Sequence, residues 1–542
     1  MASNQTVVVV GGGPVGALSA LYAARRGYQV ELYELRDDPN YGDPNARPDI
    51  AVIPLALSER GIRAIAGAGV PGLLDDILDN SRPVHTRMVH TWGTRGKHID
   101  IPMTYGSQGQ CLHTLQRERI TKHVMLALLR EPTARLFFNQ RLSACDFESK
   151  IATFETVAWK GKSRASEQDL VDTVDKFMNG TPNAVNQKLD NGSPIRGSMT
   201  KTKRVKFDFL IGADGTYSSV RQSMMRSLEM DFSQKYANAL WCDLIFPPDK
   251  NGEYQIDPLC LHIWPANQSI VVAQADIDGS SRAGMVCDTE KIRYFEAHPE
   301  EFADFFTEEF AGIVPELLSA EEVTRQFLSH QKISLKSIKC GKLGYKDNAI
   351  LLGDSCHTMT PFHAMGMITG LEDVRVFFEK FRDPAVAALP EETDSDGARK
   401  GKPFCAPGTV QAYTEFRLPD IHTMVDFASE HYDELRIGVR SRVTRAMNMV
   451  DKFLAEWLPF LGWTTLYARI QFEHDRFSIV RKKDERQRRI FGMIIVSSAI
   501  IAASAAAAGI IALRPVFASL LQCSPALTGP ESSPPCCEFS GQ

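Results

Sequence analysis

The chain opens on an apolar, β-branched run, Thr6–Val10, that ends in Gly11-Gly12-Gly13-Pro14-Val15-Gly16 and passes into an alanine-rich stretch, Ala17–Arg25. This order predicts a strand, a tight turn and a helix. The G-x-G-x-x-G constrains the fold because only glycine turns the backbone there and lets it approach a pyrophosphate. Glycine also seats the helix close on the strand, with phosphate at the helix N-terminus. A second predicted strand, Gln29–Tyr33, ends at Glu34, about 20 residues on, where a carboxylate accepts a ribose 2′-hydroxyl. Strand, turn, helix, strand and acid in this order point to a dinucleotide site rather than a glycine-rich loop that binds nothing. The loop begins at residue 11, which leaves no room before it for a signal or transit peptide.

At 542 residues the chain has room for two or more domains, and a net charge of −5 gives no general attraction to nucleic acid. Its eleven cysteines are scattered without a C-x-x-C, and only Cys536-Cys537 are adjacent. Reduced thiols and no metal site are therefore expected. Lys160–Arg204 is polar and carries the turn signals Asn179-Gly180 and Asn191-Gly192. It interrupts the strand-like runs Ile151–Val157 and Val205–Ile211, which makes it an expanded hairpin connection. Ala385–Gly408, rich in Pro, Asp and Glu, reads as a solvated linker.

From Ile490 to Leu513 there are 24 residues without a charge, preceded by Arg481, Lys482, Lys483, Arg486, Arg488 and Arg489 and followed by Arg514. As a helix that span is about 36 Å long, against about 30 Å of hydrocarbon. The basic excess places the larger N-terminal part in the cytosol. The alternative is a buried alanine-rich helix. The charge bracket favours a transmembrane tail anchor at 490–513.

Two further strand-to-turn motifs follow. Phe207–Gly215 runs through Gly212-Ala213-Asp214-Gly215 to Ser218, Ser219 and Arg221. Ala349–Asp354 ends in Gly353-Asp354, with His357 and Pro361 beyond. An Asp at a strand end accepts a ribityl hydroxyl. The helix N-terminus after it faces the edge of a flavin where negative charge develops on reduction. Either motif alone is a common turn; three in this order point to FAD.

The chain thereby resembles the single-component, group A flavoprotein aromatic hydroxylases, and among them the kynurenine 3-monooxygenase family, as a divergent member. The residues that carry this are Arg82–His90, Leu261-His262-Ile263-Trp264-Pro265, Pro419–Arg436 with its Tyr432-Asp433-Glu434-Leu435-Arg436, Phe453-Leu454, Leu466-Tyr467 and the tail helix. The resemblance implies an α/β fold: a Rossmann-type FAD domain of the para-hydroxybenzoate-hydroxylase type, interleaved with a β-sheet substrate domain. FAD-domain segments fall at 1–82, 111–232 and 335–384, and substrate-domain segments at 83–110 and 233–334. A linker (385–409), a helical C-terminal region (410–489), the anchor and a short tail (514–542) complete the chain. The activity implied is NADPH-dependent hydroxylation of L-kynurenine to 3-hydroxykynurenine through a flavin C4a-hydroperoxide, a step of tryptophan degradation and NAD biosynthesis. The implied location is the mitochondrial outer membrane, facing the cytosol. The alternatives are a monooxygenase on another aromatic acid and a membrane-anchored flavin-binding protein without hydroxylase activity.

By the same resemblance, Gly11, Gly13, Val15, Gly16, Glu34 and Arg36 hold the adenosine half of FAD, and Leu142 lines the adenine site. Ala56 touches the flavin, Arg117 reaches the phosphates or ribityl chain, Asp354 accepts from the ribityl chain, and Met367 and Ile368 offer backbone contacts. Arg87, Tyr105, His431 and Tyr467 fall at substrate positions; no protein group is required as a catalyst beyond the flavin. Read from the residues alone, Arg87 among apolar neighbours needs an acceptor, either a bidentate substrate carboxylate or an internal acid. Tyr467 reads as a core tyrosine, and His262 and Trp264 as packing residues. The chain departs from the family in three places. The flavin loop reads Phe362-His363-Ala364-Met365-Gly366-Met367-Ile368, with Ala364 in place of glycine, Met365 of glutamine and Ile368 of asparagine. His431 replaces an asparagine, and Met285-Val286-Cys287-Asp288 stands where a lid is expected. An alanine at 364 resists positive φ.

Overall fold

The computed structural model describes residues 5–37, 56–93, 96–105, 110–157, 202–390, 402–437 and 463–522, with the isolated positions 450, 454 and 457. The chain forms two compact units, Met1–Val480 and Arg481–Gln542.

The first unit is built on a six-stranded sheet in the order Gly344–Tyr345, Ala349–Leu351, Phe209–Gly212, Thr6–Val10, Gln29–Tyr33, Ala134–Phe137. All pairs are parallel except the first. Val7, Val8, Val9, Leu210, Ile211 and Ile350 are fully buried, as strands covered on both faces must be. Thr6–Val10 lies between strands that arrive from opposite directions in the order, which opens a crevice at its carboxyl end. The helix after it begins at Pro14 rather than Ala17, because proline suits the first helical turn; Gly16 is therefore inside the helix.

The run Val205–Ile211 is two strands, not one. Thr202–Lys206 pairs antiparallel with Ile151–Thr156, giving the expected hairpin, whereas Phe209–Gly212 joins the large sheet. Asp208 makes the break: its carboxylate accepts the Thr6 N–H at 2.7 Å and so fixes where the chain changes sheets. The connection expected at 160–204 falls outside the described residues up to 201.

A second, seven-stranded sheet runs Lys332–Cys340, Phe232–Phe246, Ser281–Asp288, Ser269–Ala275, Cys260–Pro265, Thr86–Trp92, His98–Thr104. One pair, Cys260–Pro265 with Thr86–Trp92, is parallel. Helices Thr289–Ala297, Phe302–Glu309 and Ala320–Ser329 bury Phe295, Phe302, Phe306 and Phe327 in one core with strand residues of this sheet. Met285, Val286 and Cys287 lie in an inner strand and are buried, so the segment expected to be a lid is core. Trp264 is buried with its indole N–H on the Ala311 carbonyl at 2.8 Å, a packing residue as expected.

Both described ends of the 385–408 stretch are packed rather than solvated; Val386 is buried in the helix Asp383–Ala387. Phe404, Cys405 and Ala406 are buried, and Arg382 donates to the Phe404 carbonyl at 2.7 Å. Residues 391–401 of it lie outside the described residues. Helices Thr409–Ile437 and Leu466–Phe472 follow. The last helix, Phe477–Gln522, carries both the basic stretch and the uncharged one. Met493, Ile494, Val496, Ile500, Ile501, Ile510, Ile511 and Leu513 are exposed on it, and its length and composition are consistent with membrane anchoring.

Candidate active site

Three turns converge at the carboxyl ends of the parallel strands. Gly11 has φ of +102°, and a Cβ there would collide with the Ala213 carbonyl of the second motif. A Cβ on Gly16 would collide with the Gly11 carbonyl. Val15 occupies the space that a Cβ on Gly353 or Gly370 would need, which joins the first motif to the third. Arg221 completes the junction by donating to the Thr216 and Ser355 carbonyls at 2.7 and 2.6 Å.

Glu34 is buried, and its carboxylate accepts the Gly12 N–H at 2.5 Å and the Arg36 N–H at 3.0 Å. Leu142 is buried on the strand Gln140–Asp146, whose first N–H bonds to the Glu34 carbonyl. Arg117 opens the helix Arg117–Leu129 and directs its guanidinium at Gly13. Asp214 accepts the Ser219 and Val220 N–H groups with one oxygen, while its other oxygen is buried without a partner among the described residues. Burial raises that carboxyl above its usual value. A glycine cradle with no room for side chains, an acid at its rim, a guanidinium over it and an orphaned buried oxygen together fit FAD.

Beside this junction lies a pocket enclosing roughly 790 Å³ of free space, its mouth included. Four residues expected to meet substrate, Arg87, Tyr105, His431 and Tyr467, all line it, as does Ala56. Leu261, Ile263, Ile270, Val272 and Phe362 make its walls apolar. The Arg87 guanidinium lies 3.5 Å over the Tyr467 ring and 5.4 Å from the Tyr105 ring centre. Its Nε is buried without a hydrogen-bond partner, and among the described residues no acid pairs with it. The Tyr105 hydroxyl is buried facing Arg87 and Tyr467, without a well-formed hydrogen bond among the described residues, and burial pushes its pKa well above the ordinary value. A cation with no acid among the described residues, beside a buried hydroxyl in an apolar chamber, forms a receptor for a carboxylate.

The altered loop takes its own form. Ala364 sits at φ +55°, ψ +25°, the left-handed region that an alanine was expected to resist. Replacing it with glycine should stabilise the fold by about 1 kcal/mol, since a Cβ costs about 1–2 kcal/mol there and glycine returns part as chain entropy. The urea midpoint should rise; a lower one refutes the strain. Met365 and Ile368 are fully buried against Met424, Phe427, Ile470, Phe477 and Val480. Met367 begins the helix Gly366–Arg375 just after its first residue.

Sequence reasoning missed His363 and Gln471. His363 stacks between His431 (4.4 Å) and Tyr467 (5.9 Å), and Gln471 donates to its carbonyl at 2.6 Å. Burial, with His431 and Arg87 nearby, holds the His363 imidazole well below its usual pKa, hence neutral. Also unforeseen was a buried ion network. Glu372 pairs with Arg60 at 2.8 Å and Arg417 at 2.9 Å, and Asp373 pairs with Arg417 at 2.8 Å and His357 at 2.5 Å. These groups come from separate segments, so only His357, inside the third motif, carried a local signal.

An FAD binding domain family matches residues 178–386. The chain is 32% identical to a kynurenine 3-monooxygenase of Aspergillus fumigatus over 494 residues, covering 90% of this chain and 89% of the relative. It is 33% identical to one of Aspergillus oryzae over 493 residues, with 90% and 89% covered. Among solved structures, p-nitrophenol 4-monooxygenase from Pseudomonas putida superposes with a TM-score of 0.56 at 16% identity, covering 88% of this chain and 99% of that one. A 2-methyl-3-hydroxypyridine-5-carboxylic acid oxygenase gives 0.54 at 15%, covering 81% and 95%.

Proposed function

The chain belongs to the kynurenine 3-monooxygenase family, an FAD-dependent monooxygenase and aromatic hydroxylase by that membership, and on this premise we propose that it converts L-kynurenine to 3-hydroxykynurenine with NADPH as reductant. The observation that carries the substrate class is the Arg87 guanidinium, buried at its Nε and without an acid among the described residues, in the apolar pocket. Arg87 takes the amino-acid carboxylate, and the Tyr105 hydroxyl donates a second hydrogen bond to it. Tyr467 stacks on the guanidinium and keeps its plane fixed. The aliphatic walls and Phe362 hold the aromatic ring and exclude water, which suppresses wasteful reduction of oxygen.

Gly11, Gly13, Val15, Gly16, Glu34, Arg36, Arg117 and Leu142 hold the adenosine and phosphate half of FAD. Asp354, Ala56 and the backbone at Met367 and Ile368 hold the flavin half. When bound, FAD supplies electron uptake from NADPH and activation of O₂. His431 and the neutral His363 present polar edges on the wall beside the substrate. The uncharged helix anchors the protein in the mitochondrial outer membrane, with the catalytic part toward the cytosol.

Full-length protein in mild detergent is expected to consume NADPH faster with kynurenine and to release 3-hydroxykynurenine in step. Acceleration by another aromatic acid alone would transfer the reading to that substrate. No acceleration by any of them would leave only a flavin-binding protein.

A further inference from the structure

On the face of the second sheet turned away from Arg87, three ligand-type side chains converge. In the hairpin of Thr86–Trp92 with His98–Thr104, His90 stands directly opposite Asp100, and His98 is two residues before Asp100 on the same face. The Asp100 Oδ1 is 2.7 Å from both His90 Nδ1 and His98 Nε2, and the two nitrogens are 3.3 Å apart.

The hydrogen bonds around His90 fix its tautomer. His262 Nε2 is 2.9 Å from the Asp257 carbonyl, which only accepts, so that nitrogen carries the hydrogen. Neutral His262 therefore offers a lone pair at Nδ1, and His90 Nε2, 2.8 Å away, must donate to it. That leaves His90 Nδ1 as a lone pair aimed at a carboxylate oxygen within hydrogen-bond distance. His90 is only 7% exposed and is clamped by Trp264 at 4.2 Å between ring centres, so it cannot turn away. Acceptor thus faces acceptor at 2.7 Å, a contact that a cation held between them would turn into attraction.

We infer that His90 Nδ1, His98 Nε2 and Asp100 Oδ1 form a site for one divalent transition-metal ion of the zinc class, with a water as fourth ligand. Two Zn–N bonds of about 2.0–2.1 Å at a tetrahedral angle set their nitrogens about 3.3–3.4 Å apart, which is the separation present. Asp100, half exposed, is free to draw back to ligand distance. His262 supplies the partner that fixes a ligand histidine's tautomer. The ion ties two strands, of which one carries Arg87 three residues before His90 and the other leads into Tyr105. Its role is to pin the hairpin that sets the spacing of those two side chains.

The test uses full-length holoenzyme in detergent, stripped with a chelator and titrated with Co²⁺, then with Zn²⁺. One equivalent of Co²⁺ should give the visible absorption of a tetrahedral nitrogen-oxygen site without a thiolate charge-transfer band, and Zn²⁺ should displace it. His98→Ala and Asp100→Ala should each lose that equivalent and raise KM for kynurenine, while retaining FAD and NADPH oxidation in the absence of kynurenine. His298→Ala, in the exposed cluster with Glu300 and Glu301, should keep it. If wild type takes up neither ion, or if the two variants titrate like wild type, the site does not exist.

Discussion

Replacing Arg87 by methionine is expected to lower kcat/KM for kynurenine roughly 30-fold to several thousand-fold, the loss of about 2–5 kcal/mol when one partner of a buried charge pair is removed. The same change should stabilise the substrate-free protein by about 1–3 kcal/mol, because it takes a buried cation with no acid among the described residues out of an apolar chamber and fills the space with a side chain of similar length. The two signs together are the test. A merely structural arginine would lose stability and activity at once, whereas a substrate receptor trades one for the other. Steady-state kinetics and a urea titration of the same preparation suffice. An unchanged kcat/KM, or a fall in stability, sinks the assignment.

The second large effect lies behind the pocket. Glu372→Ala should cost about 3–5 kcal/mol, since it leaves the Arg60 and Arg417 guanidinium groups, each 3% exposed, facing each other without their shared acid. Against a typical total of about 5–15 kcal/mol, that brings the protein near unfolding. FAD should be lost as well, because Asp373 in the same network accepts the Gly353 N–H at 3.1 Å and so positions the third motif. Burial alone would raise the Glu372 and Asp373 carboxyls, yet Arg417 with Arg60 and His357 outweighs it and holds both below the usual range. Depressed carboxylates contribute fully above about pH 4 and progressively less as acid titrates them in the folded state. Acid unfolding of wild type should therefore release flavin cooperatively, and Glu372→Ala should release it at a higher pH. A variant that keeps its flavin and its urea midpoint would show the network to be dispensable.

The parts of the site legible in the sequence were those with local spacing. The glycine turn, Glu34, Gly212-Ala213-Asp214-Gly215 and Gly353-Asp354 each declare themselves within a few residues, because a tight turn at a strand end admits few residue types. Arg87 was legible as a charge in an apolar strand; that no acid among the described residues meets it was not, since pairing is settled by neighbours far along the chain. The division of Val205–Ile211 escaped for a related reason. Both halves are apolar enough for a strand, and only the partner of Asp208, at residue 6, decides the break. The linker misled through composition: Phe404 and Cys405 are two apolar residues in a polar stretch, yet they pack into the core.

Met365 and Ile368 carry a broader consequence. In the loop after Pro361 this chain places two hydrocarbon side chains that lean on Met424, Ile470 and Phe477. A turn secured by packing rather than by directional bonds is sensitive to bulk. Its geometry is now set by volume, so these two positions and the helices they rest on are free to diverge only in concert.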